Sequence, residues 1–123
     1  MDASVEFEVY ALISCYVRAL NDEDRIMLQA RFGVGEPIVQ EITESLDGYF
    51  GRRPDIGLAP SDVAFSGKRG SQPFIDLYET NEPGFWGADC VIWVDGKPQE
   101  PTLHVELSKP DGELRLRHKY IGS

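Results

Sequence analysis

The stretch Thr102-Leu103-His104-Val105-Glu106-Leu107-Ser108-Lys109-Pro110-Asp111-Gly112-Glu113-Leu114-Arg115-Leu116-Arg117-His118-Lys119-Tyr120-Ile121 alternates apolar and polar side chains on both sides of a break at Pro110-Asp111. Successive side chains of a strand point to opposite faces, so this pattern predicts two strands, each with one apolar face. Leu103, Val105 and Leu107 form the inward set of the first, and Leu114, Leu116, His118 and Tyr120 that of the second. A two-residue turn at Pro110-Asp111 pairs Leu107 with Leu114, Val105 with Leu116 and Leu103 with His118, presenting both apolar sets to one core. The same register sets Glu106 opposite Arg115 and His104 opposite Arg117 on the outer face, as cross-strand charge pairs.

Working outward from this hairpin, residues 85–94 read as a long strand with Trp86, Ala88, Cys90, Ile92 and Val94 on one face. A hairpin at Asp95-Gly96 would bring Trp93 beside His104. Short strands are expected at 62–65 and 74–79, and Asn81-Glu82-Pro83-Gly84 marks a turn. Residues 51–60, rich in Gly and Pro, read as a loop. Upstream of it the period changes. Val5, Val9, Leu12, Ile13, Tyr16 and Leu20 recur every three or four residues, the spacing of an amphipathic helix. A second, short helix capped by Asn21 or Asp22 carries Ile26, Met27, Ala30 and Phe32 and ends at Gly33 or Gly35. A third runs from about Pro37 through Ile38, Ile42, Leu46, Tyr49 and Phe50. The prediction is one α+β domain over 1–123, with helices at about 5–50 packed on a curved antiparallel sheet at about 61–121.

With 123 residues, 41% of them hydrophobic and 27% charged, the chain has the profile of an ordinary globular domain. No apolar run reaches the roughly 18 to 20 residues needed to cross a bilayer, and the N-terminus lacks the basic region of a signal peptide, so a soluble cytoplasmic protein is expected. Cys15 and Cys90 lie far apart among apolar neighbours and read as free thiols. The net charge of −9 is uneven: residues 1–51 hold ten acids against three arginines, net −7, and residues 52–123 hold eleven acids against nine bases, net −2. Such a surface repels nucleic-acid phosphates and anionic membranes and favours a basic protein partner. Glu41, Glu44 and Asp47 concentrate the charge on one face of the third helix.

Chemistry-bearing residues are few. His118 lies on the apolar face of the last strand and is the candidate catalytic acid-base, with Tyr16, Tyr49 or Tyr120 as hydrogen-bond donors and Asp76 as an orienting carboxylate. His104 lies on the opposite face, so the two histidines cannot share a metal ion, and neither a metal nor a cofactor is expected. Trp93, with His104, Arg115 and Arg117 nearby on the outer face, has the composition of an interface hot spot. A loop or neighbouring strand covering it would instead make it core.

The segment Tyr16-Val17-Arg18-Ala19-Leu20-Asn21-Asp22-Glu23-Asp24, with the order of helices, loop and meander, resembles the nuclear transport factor and ketosteroid isomerase superfamily, whose members share a cystatin-like cone. The resemblance implies a conical pocket between helices and sheet. That superfamily uses it in isomerases, dehydratases, polyketide cyclases, subunit interfaces and small bacterial immunity proteins. Its enzymes usually place an aspartate or a His-Asp pair inside the cone, whereas the inward positions here are apolar except for His118. The expected function is therefore a small acidic binding protein of the immunity or antitoxin kind that neutralises a basic partner. The alternative is a small-molecule pocket protein or an isomerase, dehydratase or cyclase, and an accessory domain that homodimerises is a third option.

Overall fold

The computed structural model describes residues 3–123 and has the expected α+β order. Three helices, α1 (Ala3–Asn21), α2 (Arg25–Phe32) and α3 (Glu36–Phe50), come first. A small hairpin follows, β1 (Lys68–Arg69) with β2 (Gln72–Pro73), and then β3 (Ile75–Glu79), β4 (Phe85–Val94), β5 (Lys97–Ser108) and β6 (Arg115–Gly122). The last four form an antiparallel meander in the spatial order β3-β4-β5-β6.

Helix α1 buries Val9, Leu12, Ile13, Tyr16 and Leu20, the stripe that its periodicity marks. Helix α2 begins later than expected because Asp24 is its N-cap, accepting a hydrogen bond from the Met27 amide at 3.0 Å. That phase turns Ile26 outward to 82% exposure and places Leu28 and Phe32 inside, which corrects the expected apolar set. Gly33 then ends the helix at φ 64°, a left-handed conformation that glycine adopts without steric cost. Helix α3 has Pro37 in its first turn and buries Val39, Ile42 and Leu46, while Tyr49 is exposed. All three helices meet the sheet along β6.

The expected inner face survives, although its register differs. Leu107 pairs with Leu116, Glu106 with Arg117 and Val105 with His118, so the β5–β6 loop is wider than two residues. Proline's φ is locked near −65°, which excludes Pro110 from a two-residue hairpin turn needing positive φ at its first position. Gly112, at φ 85°, supplies the positive φ two residues later. The resulting shift is even, and an even shift leaves every side chain on its expected face. Leu114 precedes the strand and is only half-buried. Further along, β6 bulges between its pairings of His118 with Val105 and of Tyr120 with His104. The extra residue, Lys119, turns Tyr120 to the outer face and gives its inward place to Ile121, opposite Leu103.

At the other end, Asp95 and Gly96 adopt φ values of 53° and 76°, the paired positive values of the expected tight hairpin. The tight turn itself sets Trp93 opposite Pro98, and a bulge between Val91 and Trp93 then shifts the register so that Asp89 lies opposite His104. Trp93 is therefore not beside His104. The Arg69 guanidinium satisfies the bulge's backbone, donating to the carbonyls of Gln99 and Glu100. Residues 62–65, expected as a strand, form turns instead: the Val63 amide bonds to the Pro60 carbonyl and the Gly67 amide to the Val63 carbonyl. Four alternating residues carry too little pattern to outweigh such local bonds.

The loop at 51–60 is irregular but pinned. Asn21 brackets the Ile56 backbone, donating to its carbonyl at 2.7 Å and accepting from its amide at 2.9 Å. The Tyr10 hydroxyl donates to the Ala59 carbonyl at 2.8 Å, and Gly57 exchanges backbone bonds with Trp93. Buried apolar residues from the helices, this loop and β3 to β6 form a common cluster. Among the described residues, no helix is long and apolar enough to cross a membrane.

Leu103 is fully buried in that cluster, so Leu103→Ala is expected to cost about 2 to 5 kcal/mol in chemical denaturation. Leu114→Ala, at a half-buried position, should cost about 1 kcal/mol. Equal costs at the two sites would contradict the observed register.

Candidate functional site

The meander separates the chemistry-bearing side chains onto two faces. On the inner face the Tyr16 hydroxyl lies 2.8 Å from His118 Nδ1, and the Tyr16 ring meets Phe32 edge-on at 5.0 Å. Burial disfavours the charged form of both partners, pushing the Tyr16 phenol up and bringing the His118 imidazole down to about 4. Both are neutral near pH 7. A phenol with one proton to give and a neutral imidazole with one nitrogen to receive it satisfy each other here, the Tyr16 hydroxyl donating to Nδ1.

Of the three tyrosines considered as partners for His118, only Tyr16 reaches it. Tyr49 is on the exposed side of α3, and Tyr120 lies across the sheet. Asp76 cannot orient His118 either. It pairs with Asp89 on the outer face, while His118 projects inward with Val105. The inner arrangement is thus a packed, hydrogen-bonded pair among apolar side chains.

The outer face carries two polar rows running across the strands. One is Tyr78, Gly87, Glu106 and Arg117; the other is Asp76, Asp89, His104 and Tyr120. Tyr78 lies flat over Gly87, so close that a β-carbon on Gly87 would fall 2.3 Å from the ring, and only glycine fits beneath it. Its hydroxyl donates to Asp89 Oδ1 at 3.3 Å. Burial, reinforced by the charge of Asp89, pushes the Tyr78 phenol above its ordinary range. His104 Nδ1 lies 2.8 Å from the same Asp89 oxygen, and the Tyr120 ring stacks on His104 with centroids 4.1 Å apart. His104 Nε2 is buried and has no hydrogen-bond partner, so the Asp89–His104 pair cannot offer that nitrogen to a substrate from solvent.

Several expected contacts are redistributed. Arg117 is 3.9 Å from Glu106 rather than opposite His104, and Arg115 pairs with Asp111 at 2.7 Å. Trp93 is half-buried against Phe74, with ring centroids 5.2 Å apart and its Nε1 covered. It is thus partly covered, packed against the core from the outer side. Glu41, Glu44 and Asp47 are exposed on α3, where Glu44 accepts a hydrogen bond from Gln40. Cys15 and Cys90 are free; Cys90 is buried and Cys15 half-buried, close to Arg31. No group of three or more His, Cys, Asp or Glu side chains among the described residues is placed to hold a metal ion.

The pairing of Asp76 with Asp89 and the platform of Tyr78 on Gly87 escaped the sequence reading. Gly87 inside a long strand is the local signal for such a close approach.

Because the folded state holds the His118 pKa below its unfolded value of about 6.5, the unfolded chain binds more protons between about pH 4 and 6.5. The His118 contribution is fully present above that window and is lost as pH falls through it, by roughly 2 to 3 kcal/mol at most. Denaturation of the parent and of His118→Gln across pH 4 to 7 checks this. The variant should show a shallower loss on acidification, and parallel curves would contradict a buried neutral histidine.

Compared with known proteins, the chain matches no family model, and no curated protein or solved structure is significantly similar to it.

Proposed function

We propose that this is a small acidic binding protein of the immunity or antitoxin kind, which neutralises a basic protein partner and performs no chemistry of its own. The observation that carries this reading is the face of α3 formed by Glu41, Glu44 and Asp47, three exposed carboxylates outside any ion pair among the described residues. Surface acids are usually interleaved with bases; here the first 51 residues carry a net charge of −7. A field of one sign accelerates the approach of an oppositely charged partner and repels phosphates.

The inner face supports the same reading. A ketosteroid-isomerase-like enzyme needs an acid or base that touches a substrate, whereas His118 is engaged with Tyr16 and is held neutral by burial. The helices-then-meander order is compatible with the cystatin-like cone, in which binding proteins and enzymes share one scaffold, so fold does not decide between them.

The test is association kinetics against the protein encoded beside this one, at low and at physiological salt. Exposed carboxylates act over a Debye length of about 8 Å at physiological salt, so association should slow as salt is raised. Glu41→Gln/Glu44→Gln/Asp47→Asn should slow it further at low salt and leave dissociation nearly unchanged. Salt-independent association, unaltered in the triple variant, would contradict the reading.

A further inference from the structure

Among the described residues, the helices meet the sheet along β6, and Tyr78 and Tyr120 on the outer face are exposed. Across β3 and β4, Asp76 and Asp89 are directly opposed, and like charges in that position destabilise a sheet. Asp89 is partly compensated by the Tyr78 hydroxyl and by His104, whereas the Asp76 carboxylate has no hydrogen bond or ion pair among the described residues. Glu106 adds a third carboxylate in the next strand, its closest cation being Arg117 at 3.9 Å with a largely exposed side chain. Two phenol rings flank these acids: Tyr78 is 39% and Tyr120 48% exposed, in a chain that keeps most of its large apolar side chains inside.

Carboxylates beside flat aromatic faces match the chemistry of a guanidinium. It is planar, accepts two-point pairing with carboxylates and stacks on aromatic rings, and it sheds its water more readily than an ammonium does. A cation placed there would also relieve the Asp76–Asp89 repulsion. We propose that this outer face, at Asp76, Asp89, Glu106 and the two tyrosines, is the docking surface for an arginine-bearing segment of the basic partner. The inference rests on the basic-partner reading and adds where that partner binds and through which side chain. The α3 carboxylates then steer the partner, and the sheet face holds it.

The experiment titrates the full chain with nonaarginine and with nonalysine peptides, following backbone amide signals by NMR and affinity by calorimetry. The parent should bind nonaarginine about fivefold or more tightly than nonalysine, with the largest signal changes in β3 to β6. Asp76→Asn/Glu106→Gln, which removes two charges and keeps side-chain shape, should weaken nonaarginine binding by about tenfold. Glu41→Gln/Glu44→Gln/Asp47→Asn removes three charges and should weaken it less. If the α3 variant loses more affinity than the sheet variant, the docking surface is wrong and the acidic-capture reading stands. Equal binding of the two peptides would also overturn the inference, since it would reduce the effect to net charge. No binding of either peptide overturns the inference, leaving the neighbouring-protein kinetics as the separate test of the broader reading.

Discussion

Strand β5 lies between β4 and β6 and alternates without error through its central residues, and the remainder of the structure depends on that alternation. Leu103, Val105 and Leu107 are almost completely buried on one side, while His104 and Glu106 occupy the other. Burying three such side chains contributes several kcal/mol only if something apolar covers them, and the helices do so. The same alternation commits the intervening positions to the opposite face. A one-residue slip would exchange the two sets, so core and outer face are specified together.

Two irregularities shape the outer face. The β6 bulge at Lys119 rotates Tyr120 out of the core and onto His104, converting an apolar position into a stacked aromatic surface. The bulge opposite Ile92 shifts the register beyond it and so brings Asp89 opposite His104, while Trp93, opposite Pro98, packs on Phe74. In between, glycine at position 87 allows Tyr78 to lie across the strand. Such features cost regular pairing, and bulges recur where a side chain must be re-aimed.

Much of the fold was legible because it rests on period. The α1 stripe, the long β4 strand, the Asp95-Gly96 hairpin and the inward set of β5 follow from alternation or from turn chemistry that a short window contains. What was not legible depends on a single residue or on distant contacts. The α2 phase turns on Asp24 rather than Asn21 or Asp22 as cap, and Asn21 is instead engaged with Ile56, 35 positions away. The β6 bulge has no local signature, so Tyr120 was expected inside. For the candidate site, the histidines were placed on the correct faces, but the opposition of Asp76 and Asp89 requires the β3–β4 register. Whether Trp93 is open or covered is undecided in the sequence because its ring neighbour, Phe74, comes from the distant junction between β2 and β3.

The inner face of the sheet is built for stability, while the outer face sets Asp76 opposite Asp89, a like-charge arrangement that folding alone would not favour. Thermal and urea denaturation of Asp76→Asn at low and high salt tests it most directly, because the substitution keeps shape and removes one of the two opposed charges. The variant is expected to be more stable than the parent, by about 0.5 kcal/mol or more at low salt and by less at high salt, where screening already weakens the repulsion. A variant less stable than the parent at low salt would mean that Asp76 supports the fold, and would contradict the account.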